Sequence, residues 1–292
     1  MVRVGLVGAG EMGSALGAGW VAGGARVVTC IAGRSERTRS LVAAAGLTLA
    51  STLDEVVATS DIVASVVPPA AAISGAEQIA QSAVRVDAHP LVVDLNAVAP
   101  STVHRIGERL AAAGCELLDG SISGRAPHAQ ATPVRVYICG PRAEEFVNVP
   151  NPWLDVVRVA GPVGAASALK MCTASMYKGT QALIMQALLT ADANGVLKEF
   201  LDDTQRVWPA DVPLWHIDVA VAASKAWRFV DEMNEIAQTQ AEAGLPATLF
   251  EGVAAAYERA ARTELGHTDP ERVDRSSTVD AVLAALRRVR AD

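Results

Sequence analysis

Val2-Arg3-Val4-Gly5-Leu6-Val7-Gly8-Ala9-Gly10-Glu11-Met12-Gly13-Ser14 is the stretch whose reading decides the fold. Residues 2–7 are a short β-rich run, and a helical pattern follows over residues 14–22. Between them lies G-x-G-x-x-G, which is informative only in this strand-to-helix context. Gly8 permits the tight turn, Gly10 lets a diphosphate approach the backbone, and Gly13 lets helix and strand pack closely. The diphosphate then faces the helix N-terminus, where unpaired N–H groups and the helix dipole favour an anion. Gly8, Gly10, Glu11, Met12 and Gly13 are therefore candidate dinucleotide-binding positions. The bland alternative is a glycine-rich turn with no ligand.

Working outward, the alternation of strand and helix continues. A second strand, residues 26–31, ends in Ala32-Gly33-Arg34-Ser35-Glu36-Arg37. A site for NAD wants an acid at that tip to bind the ribose hydroxyls. None is present. Arg34, Ser35 and Arg37 instead offer guanidinium and hydroxyl donors suited to a 2′-phosphate, so NADP is the expected cofactor and NAD the alternative. Further strands are predicted at 47–50, 62–67, 91–94, 116–118, 134–139 and 155–159. Helices are predicted at 36–45, 52–58 and 70–82, and another begins at Pro100. Open α/β sheets bind ligands at the carboxyl ends of their strands. Arg34, Val67, Pro68, Asn96 and Ser123 fall at such ends and are predicted to ring one crevice.

After Gly161 the character changes. No strand pattern recurs, and helices are predicted at 165–191, 197–206, 214–224, 227–243, 247–263 and 277–290, with Ser276 or Ser277 capping the last. The expected architecture is an α/β Rossmann domain over residues 1–162 followed by an all-α domain over 163–292. Between Val159 and Ala191 the only charged residues are Lys170 and Lys178. A helix so apolar is predicted to be buried on most of its circumference. Lys170, Thr173, Tyr177 and Gln181 recur at i, i+3, i+7 and i+11, on one stripe. Lys178 faces about 100° away and is expected at the surface or an interface.

Bulk properties narrow the function classes. The chain has 292 residues, of which 51% are hydrophobic and 20% charged, which excludes a disordered protein. The net charge is −7, and no basic cluster precedes Arg287-Arg288-Val289-Arg290, so nucleic acid is not the expected partner. Cys30, Cys115, Cys139 and Cys172 lie far apart, which argues for reduced thiols in the cytoplasm and against a disulfide framework or a zinc site. The five histidines lack ligand spacing, and no metal is expected. No run of about 20 residues lacks both charge and glycine, so no membrane span is expected. Trp153, Trp208, Trp215 and Trp227 lie in the later half, as walls of a pocket or as core and interface residues.

With these residues in place, the chain resembles the β-hydroxyacid dehydrogenase superfamily, which includes 6-phosphogluconate and 3-hydroxyisobutyrate dehydrogenases. The resemblance runs in order along residues 1–190. Beyond Gly8 to Gly13 it includes Asp94-Leu95-Asn96-Ala97-Val98-Ala99-Pro100, where the family has D-x-S-T-x-x-P. Asp119 to Gly124 matches its D-x-x-x-S-G substrate motif, and Gly161 to Lys170 its G-x-x-G-…-K catalytic motif. The resemblance implies that Ser123 and Gly124 hold the substrate carboxylate, that Asn96 lies near the nicotinamide, and that Lys170 is the catalytic lysine. It also implies a homodimer interlocked through the later helices.

The departures are specific. The family's asparagine three or four residues after the lysine is replaced by Thr173 and Ala174, and the second glycine of its S-G-G is Arg125. The glutamate seven residues past the lysine in 6-phosphogluconate enzymes is Tyr177, a candidate second acid. The expected activity is hydride transfer between NADP(H) and a small hydroxy acid or its carbonyl counterpart. The alternatives are an imine reductase, which Lys170 argues against, and a non-catalytic NADP-binding module.

Overall fold

The computed structural model describes residues 1–289. Eight strands form one sheet: β1 (Arg3–Val7), β2 (Arg26–Thr29), β3 (Thr48–Leu49), β4 (Ile62–Ser65), β5 (Leu91–Asp94), β6 (Leu117–Ser123), β7 (Val134–Cys139) and β8 (Leu154–Arg158). Their spatial order is β3-β2-β1-β4-β5-β6-β7-β8. From β3 to β6 every pairing is parallel; β7 runs antiparallel to β6, and β8 parallel to β7. The chain leaves β1 toward one edge, returns, and leaves β4 toward the other. The switch point therefore lies between β1 and β4, where doubly wound sheets open a crevice.

The strands form where the sequence is apolar on both faces, as a sheet covered by helices requires. Residues Ile62 to Ser65 and Leu91 to Asp94 are buried throughout. The intervening helices are α1 (Glu11–Ala22), α2 (Glu36–Ala44), α3 (Leu53–Ala58), α4 (Ala72–Val86), α5 (Pro100–Ala111) and a short α6 (Ala143–Val147). Trp20 of α1 is fully buried edge-on to Phe146 of α6, with ring centroids 6.0 Å apart.

Two expectations need correction here. Strand β6 does not stop at Leu118 but continues through the motif to Ser123, paired with β7 as far as Arg135. Its small residues suit close packing: a Cβ on Gly120 would meet Leu95 Cδ2 at 2.6 Å. The missed α6 is a five-residue helix, too short for a periodic signal.

Helices follow: α7 (Ala165–Ala193), α8 (Leu197–Val207), α9 (Trp215–Ala223), α10 (Ala226–Glu242), α11 (Thr248–Ala261) and α12 (Val279–Arg287). Apart from one isolated bridge between Thr263 and Val289, no strand recurs among the described residues. The cap of α12 is Thr278, whose side chain accepts from Ala281 N; Ser276 and Ser277 bond Asp274 instead. Arg290, the expected end of that helix, lies outside the described residues. The chain divides into two compact units, Met1–Met171 and the part from Cys172 onward, so the division falls within α7, nine residues after the one predicted at 162/163.

In the helical unit, Phe229 and Met233 of α10 and Phe250 and Tyr257 of α11 are buried, and Phe229 and Tyr257 meet edge-to-face at 5.3 Å. Two readings of α7 change. Lys178 is not a surface residue: it is 18% exposed, pairs with the 8% exposed carboxylate of Glu232, and lies 4.3 Å from the Phe229 ring. A buried ammonium is tolerated where an anion and an aromatic face replace its water. Nor is α7 covered on most of its circumference by its own chain, since Met176, Tyr177 and Leu183 are 69%, 72% and 69% exposed.

No helix among the described residues is long and apolar enough to cross a membrane, and no group of His, Cys, Asp and Glu there could hold a metal ion. All four cysteines are free.

Candidate functional site

At the switch point each glycine of the first motif has its own steric reason. Gly8 has φ +94°, and a Cβ there would lie 2.1 Å from the Val66 carbonyl oxygen. A Cβ on Gly13 would lie 2.1 Å from the Gly8 carbonyl oxygen, so the helix can approach the turn only without a side chain. Gly10 differs: a Cβ there would meet nothing within 4 Å. The space beside it is open, and it borders the start of α1, whose N-cap is Gly10 itself with no side-chain cap. That uncapped end, open beside Gly10, fits the diphosphate of a dinucleotide. Glu11 begins α1 and approaches Arg37 at 4.0 Å, while half-buried Met12 packs against the core.

Beyond β2, Arg34 is exposed and turns back through its N–H to the Ile31 carbonyl. Ser35 caps α2, its hydroxyl accepting from Thr38 N at 3.3 Å. At the ends of β4 and β5, Asn96 is 3% exposed. Its Oδ1 accepts from Val67 N at 2.6 Å, and its Nδ2 donates to Ser65 Oγ and to Asp94 Oδ2. The amide thus binds the two strand ends together and fixes the turn through Val67 and Pro68.

The densest network joins β6 to the start of α7. Asp119 is fully buried, and its Oδ2 accepts from the N–H groups of Gly164, Ala166 and Ser167 at 2.9, 2.9 and 3.2 Å. Its Oδ1 accepts from Ser167 Oγ at 2.6 Å. One carboxylate therefore satisfies the orphan donors of the helix end and meets the positive pole of the dipole. Gly164, with φ +103°, lets the chain turn its N–H toward that carboxylate. Ser121 Oγ donates to the Ala166 carbonyl at 2.9 Å. Successive strand residues alternate in direction, so Asp119, Ser121 and Ser123 present side chains to one face. Lys170, half-buried and a turn and a half into α7, donates from Nζ to the Ile122 carbonyl at 2.9 Å.

The structure therefore brings Ser123, Gly124 and Lys170 to the end of β6. Thr173 and Tyr177 follow along α7, half-buried and exposed respectively. Cys139 also donates to Asp119 Oδ2, at 3.1 Å. Burial, and next the Asp119 charge, push its thiol up to about 11. Sequence reasoning placed Asp119 in a motif but missed its role as the remote cap of α7. A cap supplied from 45 residues away leaves no local signal.

The switch point and the open glycine cradle define a dinucleotide-binding protein of the Rossmann class. Residues 3–154, just over half of the chain, match the NAD binding domain of 6-phosphogluconate dehydrogenase, and the chain belongs to that family, within the β-hydroxyacid dehydrogenase superfamily. Residues 191–260 match a domain of unknown function (DUF1932). The 3-hydroxyisobutyrate dehydrogenase of Pseudomonas aeruginosa is 30% identical over 126 residues, which are 42% of this chain and 42% of that protein. A conserved protein of unknown function, described as structurally similar to 3-hydroxyacid dehydrogenases, superposes with a TM-score of 0.66 at 25% identity, over 89% of this chain and 97% of that one. The Mycobacterium tuberculosis 3-hydroxyisobutyrate dehydrogenase with L-serine gives a TM-score of 0.67 at 20% identity, over 98% and 99% of the two chains. At that identity the likeness is one of fold.

Proposed function

We propose that the protein is an NADP-dependent oxidoreductase that moves hydride between the cofactor and a small hydroxy acid or its carbonyl counterpart, with Lys170 as general acid and base. The observation that carries this is the Nζ of Lys170 held at the Ile122 carbonyl, one residue before Ser123 and Gly124. A nicotinamide dinucleotide, when bound, accepts or supplies the hydride. The chain's own residues do the rest. Ser123 Oγ and the Gly124 N–H bind the substrate carboxylate, and Thr173 offers a further hydroxyl. Lys170 as the amine takes the hydroxyl proton during oxidation; as the ammonium it returns that proton to the carbonyl oxygen during reduction. Tyr177 is a second donor further along the helix.

NADP is favoured over NAD because Arg34 and Arg37 follow β2 and no acid stands at its tip. The Gly8-to-Gly13 turn holds the diphosphate. We also propose a cytoplasmic homodimer formed through the helical units. Leu183 and Leu249, both exposed, line one apolar groove between α7 and α11, which a second copy would cover. Light scattering that returned a monomer would end the dimer reading.

A panel of hydroxy acids, aldehydes and cyclic imines, followed by the absorbance of reduced nicotinamide with NADPH and with NADH, tests the activity. Turnover of a hydroxy acid or aldehyde with NADPH is expected. Lys170→Ala should lower that turnover by about 10²- to 10⁴-fold while leaving NADPH affinity within about twofold. Unchanged turnover would remove the lysine from the chemistry. Activity confined to imines would make the protein an imine reductase, and NADPH binding without any turnover would make it a binding module.

A further inference from the structure

We propose that the helical unit carries a binding site for an organic cation, an ammonium group borne on an apolar body, in the cavity bounded by α7, α8 and α9. The site goes beyond the proposed hydride transfer and stands on this unit alone. The cavity measures about 890 Å³, within the range of small-molecule sites. Its inner wall is aromatic. Phe200, Trp208 and Trp215 all line it. The rings of Phe200 and Trp215 lie 6.3 Å apart at 34°, and those of Trp208 and Trp215 lie 6.1 Å apart at 46°. Trp215 is thus the middle of a continuous wall of three rings, and Tyr177 adds a fourth ring from α7. Phe200 and Thr204 stand at i and i+4 on one side of α8, and Trp208 follows directly at its C-terminal end.

The charges decide what such a wall receives. Asp211 and Asp218 also line the cavity, and no lysine or arginine does. Among the described residues neither carboxylate has an ion-pair or hydrogen-bond partner. The nearby cations of α8 are engaged elsewhere, Lys198 with Asp202 and Arg206 with Asp203. Aromatic faces are electron-rich, and a cation between them and a carboxylate gains from both. An anionic ligand would be repelled by two acids with no countercharge. A neutral apolar helix from a second copy would fill the space but would bury the carboxylates unpaired, at a cost that a cation avoids. Thr180, Gln181 and Thr204 supply hydrogen-bonding groups along the same cavity.

Calorimetric titration of the full-length protein with benzyltrimethylammonium, its neutral isostere neopentylbenzene and the anion 3-phenylpropanoate tests the assignment. The ammonium should bind, with the neutral compound weaker by about tenfold and the anion undetected. Asp211→Asn/Asp218→Asn should weaken the ammonium by about tenfold and leave the isostere unaffected; Trp215→Leu should weaken both. Circular dichroism and NADPH binding, read on the same samples, separate loss of this site from loss of the fold or of the cofactor site. Equal affinity for ammonium and isostere overturns the proposal. So does absence of ammonium binding to the unaltered protein, or an altered oligomeric state in the double aspartate variant without any effect on the ammonium.

Discussion

Lys170 and Lys178 stand little more than two turns apart on one helix, and the chain uses them in opposite ways. Lys170 belongs to the sheet-bearing unit and donates to a neutral carbonyl, that of Ile122. Lys178 belongs to the helical unit, where it meets the carboxylate of Glu232 and the face of Phe229. Tyr257 closes the second group by donating to the Lys178 carbonyl at 2.8 Å. An ammonium paired with a buried carboxylate is committed to structure, because losing the proton would strand an anion. Lys170 instead donates to a backbone carbonyl of β6, beside the residues proposed to meet substrate. Partial burial alone does not tell the two lysines apart; the surroundings, a strand carbonyl for one and a buried carboxylate with an aromatic face for the other, differ.

The comparison can be broken by variants. The largest stability effect is expected at Glu232→Ala, which leaves Lys178 buried without its anion and should cost about 3–5 kcal/mol in urea unfolding. Lys170→Ala should cost less than about 1.5 kcal/mol in the same measurement. Equal costs would mean that both lysines are structural. Glu232 Oε1 is buried without a hydrogen-bond partner, so the pair is not optimised, and Lys178→Met/Glu232→Leu should recover most of the loss.

Next in size is Asp119→Asn. The amide removes the charge that gathers three N–H groups and a hydroxyl, and it should cost about 2–3 kcal/mol. If Asp119 positions Lys170 by anchoring its helix, this variant should also lower turnover at unchanged NADPH affinity. A stability loss with full turnover would separate the anchor from the chemistry.

The smallest effect is a pH dependence at the Lys170 end. The Cys139 thiol is pushed up to about 11 by burial and by Asp119, whereas an unfolded thiol ionises near 8.5. Its protonated form is the one the fold favours. The stabilisation is therefore complete below the unfolded value and is lost as pH rises toward about 11. Cys139→Ala should flatten the alkaline arm of stability against pH. An unchanged slope would show that another group sets it.

Most of the sheet was legible because its strands are continuous apolar runs punctuated by glycine and proline. The glycine turn was legible because each position answers a separate steric demand, visible in Gly8 and Gly13 as clashes and in Gly10 as open space. Strand β6 was cut short because Asp119, Gly120, Ser121 and Ser123 carry no strand propensity of their own; pairing with β7 overrides it. The partners of Lys178 were not legible because a period of 3.6 gives direction on a helix but not the identity of what packs there. Glu232 lies on another helix, and no sequence spacing announces it.

Strand β6 bears on how this protein can change its substrate. The residues that fasten it to α7, Asp119 and Ser121, precede the residues proposed to meet substrate, Ser123 and Gly124. Arg125, where the chain leaves the β-hydroxyacid dehydrogenase pattern, comes after both and is exposed. The anchor of α7 and the residues proposed for recognition thus follow one another along β6 and its end, with the anchor first. A laboratory library confined to Ser123 and Arg125 would sample specificity at little expense in foldability, because the anchors of α7 stay in place; Gly124, at φ +148°, would resist a side chain and is best left out.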